Sequence, residues 1–305
     1  MIDCTLIVVS YRSAEDVAGL LTTVPAAAQG LSWRALVVNN EPTEDLGAAI
    51  AHHHGAEVVD AAANLGYAGG INLGMASAPP SRWTVFLNPD LRLRPGALAE
   101  MADAAGEDHA AVPRIVDETG AVQASLRREP TVLGSLGDAL FGAKWLTRPG
   151  WLSEMVHTPS AYETPGTVAW ATGAALMVPT AIAHGVGTWD AERFFLYSEE
   201  TDYCRRLRQR GTDVRFTPRA VVSHRGGGSG ASDALYALLE VNRVRYFRKW
   251  HGPGASAAFA ATAVLNNLLR SHRPRSRAAL SALLSSKVRS QLPGGGRPVR
   301  PSAPH

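Results

Sequence analysis

In the amino-terminal part of the chain, short continuous apolar runs alternate with stretches whose hydrophobic residues recur every three or four positions. Residues 5–10, 35–39, 56–60 and 83–87 are the runs, rich in Val, Ile and Leu, as strands buried on both faces of a parallel sheet must be. Residues 13–24 and 71–76 carry the helical spacing between them, so strands and helices alternate. That order predicts an α/β fold, a mainly parallel sheet flanked by helices, with ligands at the carboxyl ends of its strands. From 113 to 165 the period is lost among prolines and tryptophans, and this stretch reads as an insertion. Regularity returns with an apolar run over 168–178, a helix over 201–210 capped by Gly211, and strands over 213–216 and 220–222. Residues 234–250 and 255–269 suit helices with apolar stripes and basic flanks. Both are shorter than the roughly 20 apolar residues a bilayer span needs. The expected organisation is a catalytic domain over 1–230, a basic helical extension over 231–292 and a disordered tail over 293–305.

Composition supports a packed core, with 46% hydrophobic and 19% charged residues in 305. Two cysteines, Cys4 and Cys204, without a CxxC pair, imply neither a disulfide framework nor a cysteine zinc site. The amino terminus enters an apolar strand without a basic region and a long apolar stretch, so a cytoplasmic location is expected. Charge is unevenly spread. Residues 241–305 hold twelve Lys or Arg and no acid, leaving 18 bases against 27 acids before them, a balance of about −9. An acidic body with a basic tail suggests contact with anionic lipid at the inner face of the cytoplasmic membrane; a solvated helix face is the plainer alternative.

Four segments could carry chemistry. Asn88-Pro89-Asp90 follows a strand and would project the Asp90 carboxylate into the crevice, a suitable ligand for a hard cation, although the same tripeptide makes ordinary turns. Glu199, Glu200 and Asp202 crowd three carboxylates beside an aromatic run; helix-start acids are the structural alternative, with Asp202 pairing to Arg206 at i,i+4. His224 leaves a strand into a glycine-rich loop, where an imidazole could complete a metal site and the amides of Gly226–Gly228 could approach phosphate. Finally, residues 64–72 place glycines where a loop must pass close to a ligand before a helix. They match neither the dinucleotide GxGxxG spacing nor a phosphate loop with its lysine.

Taken in order, these segments resemble glycosyltransferase family 2, with the GT-A fold and in particular its rhamnosyltransferase-like bacterial branch. The resemblance runs from about residue 5 to 229. It implies that Ser10 and Tyr11 cradle a nucleotide base, with Asn39 standing where the family has an aspartate that bonds the base. Asn64, Gly66, Tyr67, Gly70 and Asn72 would shape the donor pocket. Asn88 and Asp90 would correspond to the Asp-x-Asp metal motif, and His224 to a second metal ligand. Trp170, Thr172 and Gly173 would wall the acceptor and sugar side. Where the family commonly has Glu-Asp-x-Asp, this chain has Glu199-Glu200-Thr201-Asp202, which puts Glu200 in the position of the catalytic base, with Glu199 as the alternative.

The resemblance therefore implies an inverting hexosyltransferase that moves rhamnose or another hexose from a nucleotide diphosphate donor, with Mg2+ or Mn2+, to a glycan, lipid-linked or small-molecule acceptor in cell-wall or polysaccharide biosynthesis. Nucleic acid is not an expected partner. Two other classes are the alternatives: a nucleotidyltransferase, against which the absence of a glycine-rich phosphate loop at Ser10–Ser13 counts, and a sugar-nucleotide or glycan-binding module that has lost catalysis.

Overall fold

A computed structural model describes residues 2–224 and 232–296. Strands β1 (Ile2–Ser10), β2 (Trp33–Asn39), β3 (Ala56–Asp60) and β4 (Ser81–Leu87) lie parallel in the order β3-β2-β1-β4. Helices α1 (Ala14–Ala28), α2 (Leu46–Ile50) and α3 (Gly66–Ser77) connect them. Successive side chains of a strand point to opposite faces, and β1 shows why its run must be continuous. Leu6 and Val8 pack against Val17, Leu20, Leu21 and Val24 of α1, while Ile7 and Val9 pack on the other face with Ile71 of α3.

The remaining strands make the sheet mixed, whereas a mainly parallel one was expected. β5 (Leu91–Leu93) and β8 (Gly166–Val168) run antiparallel to β11 (Val214–His224), and β10 (Ala175–Pro179) runs antiparallel between β4 and β6 (Ala110–Val116). Only β6 and β11 continue the parallel arrangement. The expected strands at 213–216 and 220–222 are one strand, β11, with a register shift between Thr217 and Val221. The apolar run over 168–178 is in turn divided, because β9 (Trp170–Ala171) turns aside to pair with β7 (Leu126–Arg127).

Helices α4 (Ala97–Ala105), α6 (Thr180–Val186) and α7 (Glu199–Gln209) complete the layers around the sheet. α7 begins two residues before the expected position, and Gly211, at φ +81°, closes its end as anticipated. The stretch over 113–165, which lacks a visible period, contains α5 (Val132–Leu140). Glycine obscures its pattern: a Cβ at Gly137 would lie 2.1 Å from the Leu152 carbonyl oxygen, so the close approach excludes any side chain.

The two helices expected beyond residue 232 are present as α8 (Asp233–Trp250) and α9 (Pro253–Leu269), followed by α10 (Pro274–Leu284) and α11 (Ser286–Arg289). No described helix is long and apolar enough to cross a membrane. α8 packs directly onto the segment before α7: Ala237, Leu238 and Val241 cluster with Phe195, Leu196 and Tyr197, and the Asn242 amide donates to the Leu196 carbonyl at 2.8 Å. Of the expected tail, Pro293–Gly296 form a short 3-10 turn, and residues 297–305 lie outside the described residues.

Candidate functional site

Strand register assembles the site. Ser10, Asn39 and Asp60 end β1, β2 and β3 in one row, and the Asn39 amide donates to Asp60 Oδ1 at 3.0 Å and to the Glu44 carbonyl at 3.1 Å. Ser10 is buried, its hydroxyl 2.9 Å from that of Ser13, while Tyr11 stands exposed beside the Arg12 guanidinium. Asp60 was not singled out in the sequence. The neighbouring strand thus sets a carboxylate beside the Asn39 amide.

The loop before α3 serves as a joint. Asn64 Oδ1 accepts from the Gly66 N–H at 2.9 Å, and the Tyr67 N–H donates to the Phe195 carbonyl at 2.8 Å. Gly66 has φ +71°, and a Cβ there would lie 2.2 Å from that same carbonyl oxygen, so only glycine fits. Gly70 lets α3 approach Val9 of β1. Asn72 clamps the far side of the helix, exchanging hydrogen bonds with the Trp189 backbone at 2.8 and 2.9 Å. Asn40, which the sequence reading passed over, is buried and donates to the Gly66 carbonyl at 2.8 Å.

Asp90 and His224 are far apart in sequence and adjacent in space. His224 pairs with Leu91 in the β5–β11 ladder, which sets Asp90 Oδ2 3.1 Å from His224 Nε2 at the open edge of the sheet. The Asn88 N–H donates to the Ala174 carbonyl at 2.8 Å, which draws Gly173 to the same edge. Among the described residues no group of three or more His, Cys, Asp and Glu could enclose a metal ion. An oxygen and a nitrogen donor side by side fit a cation that takes its other ligands from a diphosphate and water. The glycine amides of 226–228 lie outside the described residues.

Glu199 and Glu200 occupy the first turn of α7, directly after Tyr197 and Ser198, whose φ values of +71° and +70° are left-handed. Non-glycine residues adopt that conformation at a cost, and such strain collects at functional sites. Burial raises both carboxyl pKa values; for Glu199 the rise is large, and the neighbouring Glu200 charge adds to it. The Arg127 guanidinium opposes the rise at Glu200, as does the Gly173 backbone amide. One oxygen of each carboxylate, Oε2, is buried without a hydrogen-bond partner among the described residues. The Tyr67 hydroxyl reaches the Gly173 carbonyl at 3.3 Å, and burial followed by the Glu199 charge pushes its pKa up. Gly173 is packed so closely that a Cβ there would sit 3.3 Å from the Glu200 side chain.

Asp202 has the structural role expected of it. It is fully buried and accepts from Arg206 at 2.9 Å, Lys249 at 2.7 Å and Trp250 at 2.9 Å. On the opposite side the Trp170 indole donates to the Arg128 carbonyl at 3.1 Å, and the Thr172 N–H to the Ser125 carbonyl at 3.0 Å. An open cavity lies against Glu200, bordered by Trp170, Tyr197, Ser198, Arg243 and Phe259. Arg127 was not anticipated; Arg243 comes from α8, within residues 243–249, which resemble the family more weakly and were given no role in the site.

Residues 5–155 match the family model described as "Glycosyl transferase family 2". An N-acetylglucosaminyl-diphospho-decaprenol L-rhamnosyltransferase of Mycobacterium tuberculosis is 28% identical over 212 residues, spanning 65% of this chain and 68% of the relative. Among solved structures, GalNAc-T7 with UDP, GalNAc and Mn2+ superposes with TM-score 0.54 at 15% identity over 81% of this chain, which spans half of that chain. TarS residues 1–349 of S. aureus in complex with UDP-GlcNAc superposes with TM-score 0.52 at 13% identity, over 97% of this chain and 83% of that one. These structural likenesses carry the fold, a mixed α/β sheet of the GT-A type. By the family match and its relatives, the chain belongs to glycosyl transferase family 2 as a glycosyltransferase of rhamnosyltransferase-like kind.

Proposed function

We propose that the protein transfers a hexose, rhamnose or a close relative, from a nucleoside diphosphate donor to an acceptor hydroxyl with inversion, and that Glu200 is the base. The observation that carries this reading is the position of Glu200. Glu200 borders the open cavity and packs against Gly173, whereas Glu199 is more deeply buried and is not among the residues bordering that cavity. Removal from water raises the proton affinity of Glu200, which brings a carboxylate closer to what a general base needs near neutral pH.

The row of Ser10, Asn39 and Asp60, with Tyr11 beside it, suits a nucleoside; Gly66 and Gly70 let the start of α3 pack closely against Phe195 and Val9, which fixes the wall of the donor side. Asp90 and His224 would hold Mg2+ or Mn2+, and when bound such an ion supplies positive charge to the diphosphate leaving group. The GalNAc-T7 structure contains UDP and Mn2+, which agrees with this reading. Glu200 takes the acceptor proton, Trp170, Thr172 and Gly173 wall the sugar, and the attacking oxygen approaches opposite the diphosphate. The acceptor proposed is a lipid-linked sugar, by likeness to the mycobacterial relative, whose name states a diphospho-decaprenol substrate. Residues 1–230 would form the catalytic domain and 231–292 an extension that buttresses it, as the Asn242 and Lys249 contacts suggest.

The test pairs binding with turnover. In the parent chain, dTDP- or UDP-sugars with Mn2+ should raise the melting temperature, because a ligand selective for the native state stabilises it. Glu200→Gln should keep that shift and lose at least about 100-fold in transfer, the scale expected for a general base. Near-normal transfer by the variant would remove the base assignment.

A further inference from the structure

Six of the exposed large apolar side chains come from one region of the structure. Leu140, Trp145, Leu146 and Trp151 come from α5 and the loop behind it, with Trp151 62% and Leu146 50% accessible. Leu268 and Leu269, 58% and 52% accessible, end α9, the helix packed against α5. The two groups meet at Arg270, whose guanidinium donates to the Ala139 and Asp138 carbonyls at 2.8 and 3.2 Å. Trp145 stacks edge-on against Phe141, which keeps it in place beside them.

The loop is held rigidly in this exposed form. Arg148 is buried, and its guanidinium donates to the Gly142, Trp145 and Leu152 carbonyls at 2.7, 2.6 and 3.0 Å and to Ser153 Oγ at 3.0 Å, besides pairing with Asp138. A buried guanidinium so fully bonded fixes a loop strongly. It fixes one that presents two tryptophans to solvent. Soluble proteins avoid contiguous apolar surface of this kind unless something covers it.

Charge identifies the cover. Residues 132–152 and 253–290 contain one acid, Asp138, and it is paired to Arg148. Exposed Arg273, Arg275 and Arg277 follow directly on Leu268 and Leu269. Tryptophan and leucine beside unopposed arginine suit the boundary of an anionic bilayer, where indoles settle at headgroup depth and guanidinium groups meet lipid phosphate. We propose that the face made by α5, the loop over 141–152 and the α9–α10 turn docks on an anionic lipid bilayer. α9 connects this face to the site: Phe259 borders the cavity at Glu200, and Leu269 lies about 15 Å further along the helix at 1.5 Å per residue. An acceptor anchored in lipid could then present its sugar at the cavity. That link rests on the transfer reading, but the docking does not.

Flotation of the full chain with vesicles of phosphatidylcholine, with and without phosphatidylglycerol, tests the proposal. Binding is expected to the anionic vesicles and to weaken with salt. Trp145→Ser combined with Trp151→Ser should lower it at least about tenfold by removing interfacial anchors. Arg273→Glu combined with Arg277→Glu should do so by reversing charge, by roughly tenfold or more. Both double variants alter exposed residues and should keep the parent's melting temperature and its shift with donor, so loss of docking and failure of the donor site are read separately. The proposal is overturned if the parent does not bind anionic vesicles, or if both variants bind like the parent. It is also overturned if the parent ignores vesicles and forms a dimer that the tryptophan variant breaks, since a second copy would then be the cover.

Discussion

Glu199 and Glu200 show what a buried pair of carboxylates does to the protein that holds it. Their pKa values are raised in the folded chain, so the native state holds these protons more tightly than the unfolded state does. Stability from such groups is full below the ordinary carboxyl value and is lost as pH rises through the folded one. Glu199→Gln removes the buried charge, so it should melt higher than the parent at pH 8, by about 1–3 kcal/mol. The advantage should vanish toward pH 4; a constant difference across that range would argue against burial of charge as the cause. Asp90, Glu200 and His224 were readable from sequence because each stands at a strand end or in a local cluster of like residues. Arg127 and Arg243 were not, because their positions beside Glu200 depend on β7 and α8, elements far from it in the chain.

At the scale of elements, the parallel half of the sheet was legible because burial on both faces demands uninterrupted apolar runs. The antiparallel half was not. β10 borders β4 and β6, but its register depends on where the chain turns after Gly173, and no local pattern encodes that. α5 was hidden by the glycines that let Leu152 approach it. Gly66 joins two elements, α3 and the segment before α7, through the Phe195 carbonyl. Gly66→Ala combines a positive φ with a backbone clash. It should destabilise the protein by about 2 kcal/mol or more, seen in urea unfolding, and weaken the donor-induced thermal shift. If the variant were as stable as the parent, the joint would be looser than described.

Across the whole molecule, the helices beyond residue 232 hold the segment over 195–202 in place. Asp202→Ala would leave the half-buried Arg206 without its carboxylate partner and Lys249 with Asp190 alone, and should cost about 2–3 kcal/mol in chemical denaturation. A change under 1 kcal/mol, by contrast, would mean that water replaces the carboxylate without strain, roughly as at a surface pair. The hydrogen bond from Asn242 to the Leu196 carbonyl has a consequence for descent. A recombination that exchanged one stretch without the other would join mismatched halves of a single interface. The segment over 195–202 and the helix that grips it should therefore be inherited together, and chimaeras between relatives should work only when both come from the same parent.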